Sequence, residues 1–208
     1  SDTVKLDKKA QLFANNGTKA EIQKMTMDNG SRLDVGSYDE DDMVVKEAAD
    51  VTVHQLDLKG NSTITIENGK LNSDQITMDK STIAIAGVGT LIANKMTLNN
   101  TTLSLRGITN DPDEEGIMTL DLDDEIQPLD VTQNGVTVEV KDTLEMNGGM
   151  LKVNDGSKLT TNQMKLANGS MVTVDGTNSS YTIKGTDNTV SGDAKIDVIN
   201  GGSVTLAE

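Results

Sequence analysis

Carboxylates are the chemical groups this chain concentrates, and they gather in two runs. Asp111-Pro112-Asp113-Glu114-Glu115-Gly116 is followed closely by Asp121, Asp123 and Asp124. Asp111, Asp113 and Glu115 offer hard oxygen ligands at alternate residues, the spacing with which a calcium-binding EF-hand loop begins. The match stops at position twelve, where Leu122 stands in place of the closing Glu and no flanking helix is expected. Calcium held by these three residues is the metal site the sequence suggests, and no other cofactor is indicated. The second run, Tyr38-Asp39-Glu40-Asp41-Asp42, adds an aromatic side chain to four carboxylates. Both runs are candidate interaction loops; both also suit the plainer role of keeping a stacked sheet soluble and its edges apart.

Other catalytic signals are sparse. The single histidine, His54, has no Cys or Ser constellation spaced around it, so it reads as a corner or surface imidazole. Gly87-Val88-Gly89 lacks the third glycine and the following helix of a dinucleotide loop and reads as a turn. A polysaccharide-cleaving enzyme needs basic and aromatic side chains to neutralise and stack its sugars. Here the arginines are Arg32 and Arg106, and aromatic residues make up 1% of the chain.

The elements that position these groups follow from composition and spacing. The chain has 208 residues, 35% of them hydrophobic, with no Trp and one Phe, which suits a narrow aliphatic core better than a wide one. Its formal charge is -15, from 33 acidic against 18 basic residues, a field that repels nucleic acid and anionic lipid. Absence of cysteine removes disulfides and thiolate chemistry. No apolar run approaches the length of a membrane span, so direct membrane insertion of this segment is not expected. Ser1-Asp2-Thr3-Val4-Lys5 has no apolar signal region, so an exported protein would carry these residues as a processed piece, and residues 1–208 read as a single structural unit.

Within that unit a short motif recurs. Leu56-Asp57-Leu58 leads through Lys59-Gly60-Asn61-Ser62 to Ile64-Thr65-Ile66, Ile76-Thr77-Met78 leads to Ile83-Ala84-Ile85, and Met96-Thr97-Leu98 leads to Leu103-Ser104-Leu105. Leu58, Met78 and Leu98 are spaced by 20 residues, as are Met146 and Leu166. A further apolar residue stands seven positions before the anchor at Val51, Leu71, Leu91 and Leu159. Period two inside each pair gives short strands with one buried face, and Asn/Gly dipeptides between pairs tolerate the positive φ of a sharp corner. An antiparallel meander would not demand equivalent residues at a constant step; stacked coils would. The fold expected is therefore an all-β, right-handed parallel β-solenoid with roughly 20-residue coils, at most about ten of them.

Met25, Met27, Met78, Met96, Met146 and Met164 fill slots that Leu or Ile fills elsewhere, so they belong to the core. Register breaks at the two acidic runs. The step from Met27 to Leu58 is 31 residues, and that from Leu98 to Met146 is 48, with Leu120-Asp121-Leu122 as the expected intermediate anchor. Beyond Leu166 the spacing drifts, leaving open whether residues 181–206 form a coil or a cap.

The coil Met164-Lys165-Leu166-Ala167-Asn168-Gly169-Ser170-Met171-Val172-Thr173-Val174, repeated at Met25 to Val35 and Leu56 to Ile66, resembles the coil signature of pertactin-like autotransporter passenger domains. The resemblance covers most of the chain. It implies a β-helical adhesin at the bacterial cell surface or secreted, engaging host or bacterial surface molecules or itself in autoaggregation and biofilm. Outward residues Thr63, Thr65, Thr77, Thr97, Thr101, Thr102, Thr173 and Asn178 would contribute to a polar binding face. A passive spacer carrying another domain and a polysaccharide-active enzyme are the alternatives.

Overall fold

The computed structural model describes residues 2–15, 17–36, 48–67, 69–105 and 136–206. Strands are the regular elements present. In chain order they are β1 (Thr3–Leu6), β2 (Gln11–Ala14), β3 (Lys19–Met27), β4 (Arg32–Val35), β5 (Ala49–Leu58), β6 (Thr63–Ile66), β7 (Gly69–Asp79) and β8 (Thr82–Ile85). They continue as β9 (Thr90–Leu105), β10 (Thr137–Val153), β11 (Lys158–Ala167), β12 (Met171–Asp175), β13 (Ser180–Ile183), β14 (Thr189–Val190), β15 (Lys195–Ile199) and β16 (Ser203–Leu206). Each pairing between them is parallel, and together they wind into a β-solenoid of about 8 turns with about 21-residue coils.

Three faces make up each turn, and one apolar ladder runs up the inside of each. On the first face Val4 pairs with Met25, Met25 with Leu56, Leu56 with Ile76, Ile76 with Met96, Met96 with Leu144 and Leu144 with Met164. The second carries Leu12, Leu33, Ile64, Ile83, Leu103, Leu151, Val172 and Ile196 in register. The third carries Ala20, Val51, Leu71, Leu91, Val138, Leu159, Tyr181 and Val204. Alternation puts the residue two positions on into the same core. The six anchor methionines are buried with the aliphatic residues around them, as their slots require.

Spacing alone misses the second inward row of the third face, because its side chains are not uniformly apolar. Val53, Ser73, Ala93, Val140, Thr161 and Ile183 all lie inside. Burying a hydroxyl there requires a partner: Ser73 Oγ donates to the Gln75 carbonyl at 3.1 Å, and Thr161 Oγ1 lies 3.2 Å from the Tyr181 hydroxyl. Burial raises the Tyr181 phenol above its ordinary range, against the opposing effect of its bond to Thr161.

Both register breaks are single coils that carry an insertion. Met27 pairs directly with Leu58, and Leu98 directly with Met146. The second pairing corrects the expectation of an intermediate coil. Neighbouring rungs lie about 4.8 Å apart, so a rung at Leu120-Asp121-Leu122 would hold β9 and β10 at twice that distance. The step is instead one coil plus the residues between Leu105 and Val136. β10 carries one more irregularity: Leu91 meets Val138 at a step of 47 but Met96 meets Leu144 at 48, a bulge between Val140 and Leu144.

The corners use the expected residues. Asn29, Asn61, Asn100 and Asn168 have φ between +49° and +61°, and Lys80, at +47°, takes a corner where no Asn is available. Gly149 has φ +84°, and a Cβ there would be driven into the Thr101 backbone, so both conformation and space select glycine. Just inside the first corner, Ser31, Ser62, Ser81, Thr101 and Ser170 are buried. Ser62 Oγ donates to the Lys59 carbonyl at 2.6 Å, Ser81 Oγ to that of Asp79 at 3.0 Å, and Thr101 Oγ1 to that of Asn99 at 2.8 Å. Each of these hydroxyls thus finds a carbonyl of its own turn as acceptor.

Candidate interaction faces and corners

Outside the core, the same register stacks polar side chains into ladders. Thr26, Asp57, Thr77 and Thr97 follow one another up the first face. Thr63, Thr82 and Thr102 do so on the second, and Thr160, Thr182 and Thr205 on the third. The expected contributors are therefore shared among separate faces: Thr77 and Thr97 on one, Thr63, Thr102 and Thr173 on another, and Asn178 exposed at a corner. Thr82 and the third-face threonines belong to the ladders although the motif search passed over them.

Two expected outward residues are corrected. Thr101 is 2% exposed because it serves the buried corner row. Thr65 is 4% exposed and stands beside Asp34, also 4% exposed, in the second-face ladder. Arg32 Nε donates to Asp34 Oδ1 at 2.7 Å and neutralises that carboxylate at the surface of the stack. The cleft lined by Arg32, Asp34, Val35, Thr65 and Glu67 has room of about 20 Å³, on the scale of a water molecule and well short of a sugar ring.

Asparagine and aspartate side chains clamp consecutive coils at the corners. Asn29 Nδ2 donates to Asp7 Oδ1 at 2.6 Å, Asn72 Nδ2 to Asp50 Oδ1 at 2.9 Å, and Asn200 Nδ2 to Asp175 Oδ1 at 2.8 Å. The bond from Asn29 holds the Asp7 carboxyl below its usual range.

His54 sits in the densest of these clamps. Its Nδ1 lies 2.6 Å from Asp74 Oδ2 and its Nε2 3.1 Å from Glu21 Oε1, so one ring bridges carboxylates from the coils on either side of its own. Asp74 in turn accepts from Asn94 Nδ2 at 2.9 Å. Ionised carboxylates only accept, so both ring nitrogens must carry protons for both bonds to form. The pKa of His54 is accordingly raised, first by the bond to Asp74 and then by that to Glu21. Its partners come from 20 residues after it and 33 before it, one on each neighbouring coil, which is why sequence proximity did not reveal them.

The acidic interaction candidates Tyr38, Asp39, Glu40, Asp41 and Asp42 lie outside the described residues, as do Asp111, Asp113, Glu114, Glu115, Asp121, Asp123 and Asp124. Their flanks are described. One segment joins Val35 at the end of β4 to Ala49 at the start of β5; the other joins Leu105 at the end of β9 to Val136 just before β10. Both bridge the second face to the third, so both depart from one corner of the coil, three rungs or ~14 Å apart along the stack. Between them that corner is closed by short turns, including Ala86-Gly87-Val88-Gly89, where Gly89 N donates to the Ala86 carbonyl at 3.0 Å. Gly87-Val88-Gly89 is thus a coil corner. One rung beyond the larger segment, Asn154 Oδ1 and Ser157 Oγ are buried without a hydrogen-bond partner among the described residues, an arrangement that a bound water ordinarily completes. Among the described residues, no group of three or more His, Asp or Glu is arranged to hold a metal ion.

Comparison of the chain with protein-family models, with curated proteins and with solved structures finds no match. The geometry itself establishes a parallel β-solenoid whose faces carry polar ladders and whose two long insertions leave from one corner.

Proposed function

We propose that the chain is a non-enzymatic adhesion or self-association module of a bacterial surface or secreted protein. The observation that carries this reading is the stacking of like polar side chains at sheet spacing on each face, as in Thr63, Thr82 and Thr102. A repeated polar surface of this kind binds by many weak, equivalent contacts, which favours extended partners and multivalent display. The resemblance of the coil at Met164 to Val174 to that of pertactin-like passengers supports a role at the cell surface.

Beads or cells coated with the chain should clump or be retained on bacterial or host surfaces. Thr77→Lys with Thr97→Lys, which breaks one ladder without touching the core, should weaken that retention. Coated particles that neither clump nor bind any cell surface would overturn the reading.

A passive spacer is the second reading, favoured by the unbroken core. With about eight rungs at sheet spacing, the stack reaches roughly 34 Å from first to last. Under it, exchanging the polar ladders would leave the function of any attached domain unchanged.

A further inference from the structure

We infer that Thr143 and Gln163 react with one another to form an ester cross-link between two consecutive coils, made by the chain itself. The cross-link depends on one corner of the stack and not on what the polar faces bind.

The position before each first-face anchor is Lys24, Gln55, Gln75 and Lys95 on the earlier coils and Gln163 on β11. On β10 it is Thr143, paired in register with Gln163. A short alcohol thus stands in a column of long side chains. It is 8% exposed, whereas Gln75 and Lys95 open to solvent. Buried Ser81 and Thr101 give their hydroxyls to turn carbonyls. Thr143 lies instead between a carboxylate and a carboxamide. Its Oγ1 is 3.3 Å from Asp142 Oδ1 and 3.2 Å from Gln163 Oε1, and the carboxamide carbon is one bond beyond that oxygen. A base, a nucleophile and an electrophilic carbonyl are the parts that acyl transfer requires.

The bulge in β10 brings them together. Between Val140 and Leu144 stand three residues, where β9 has Asn94 and Lys95 and β11 has Asn162 and Gln163. Neighbouring side chains of a regular strand point to opposite faces; the extra residue leaves the Asp142 carboxylate within reach of the Thr143 hydroxyl. Pairing of Leu144 with Met164 then holds Thr143 over Gln163, so the two groups meet by register and not by diffusion.

In the reaction Asp142 accepts the hydroxyl proton as Thr143 Oγ1 adds to Gln163 Cδ. The tetrahedral adduct collapses with cleavage of the Cδ–Nε2 bond, the proton passes to that nitrogen, and ammonia leaves. An alcohol and a primary amide become an ester and ammonia, with no change of oxidation state and no second reactant. Gln163 is partly exposed, which gives the ammonia a way out. The product fastens β10 to β11 beside the irregularity that interrupts their ladder.

Intact-mass spectrometry of the purified chain, held for days near neutral pH, tests this. The expected mass is about 17 Da, one ammonia, below that of the sequence. Digestion should yield the peptides containing Thr143 and Gln163 joined, and hydroxylamine, which cleaves esters, should separate them. Thr143→Val keeps the shape of the side chain and should retain the full mass with unchanged circular dichroism. Asp142→Asn should slow the loss of ammonia by more than about tenfold, the ordinary worth of a general base. Thr143→Ser, which keeps the hydroxyl, should still react. A parent chain that retains its full mass would overturn the inference. So would an equal loss that persists in Thr143→Val or maps to a succinimide at one of the Asn-Gly corners.

Discussion

Replacing one ladder residue by alanine should cost more in the middle of the stack than at its last coil, and Ile76 and Ile196 make the comparison. Ile76 is fully buried, with Leu56 beneath it and Met96 above. Ile76→Ala removes three carbon groups at about 0.8 kcal/mol each and leaves a void enclosed by both neighbours, for a total of about 3–4 kcal/mol. Ile196 occupies a second-face ladder, has Val172 as its one register neighbour among the described residues and is partly buried against the core. Its removal forfeits most of the transfer energy but opens no closed cavity, so Ile196→Ala should cost about 1.5–2 kcal/mol. Urea unfolding of both variants, followed by far-ultraviolet circular dichroism, measures the difference. Stability in a solenoid is a sum of coil and nearest-neighbour terms, and a residue with one neighbour loses one such term. Equal costs for the two substitutions would refute that reasoning and show that the last coil is covered or that the stack does not behave as coupled rungs.

Two more predictions concern the corners. His54 should titrate above its ordinary value of 6.5, because protonation completes its bonds to Asp74 and Glu21. With a folded pKa above the unfolded one, its contribution to stability is complete below about pH 6.5, while the carboxylates stay ionised, and is lost as the pH rises through the folded value. The stability difference between the parent chain and His54→Gln should therefore shrink with rising pH, and Asp74→Asn should return the imidazole toward its ordinary pKa in an NMR titration. At the first corner, Gly149→Ala should destabilise by at least about 1–2 kcal/mol in thermal unfolding, from the positive φ together with the collision against Thr101. A neutral effect there would mean that the corner relaxes freely.

The apolar half of the architecture was legible in the chain because a parallel stack places equivalent residues at a nearly constant step. Leu58, Met78 and Leu98 announce their own ladder, and Asn-Gly pairs announce its corners. Where an inward slot accepts Ser73 or Thr161, composition no longer separates inside from outside, and that row was missed. Thr101 and Thr65 failed for the related reason that a polar residue on a strand reads as solvated until its partners are known. Residues 106–135 misled differently: a gap of 48 suggests a missing coil, and only the direct pairing of Leu98 with Met146 shows that the gap is an insertion.

Sequence alone thus determined the repeat, the residues that build its core and the turn chemistry, all of which depend on local period and side-chain type. Tertiary structure decided which polar groups meet. His54 finds its two carboxylates on separate coils, the threonines divide among three faces, and both acidic insertions leave from one corner. The reason is geometric: register between coils is a long-range property, and residues 20 or more apart become neighbours only once the backbone has closed each turn.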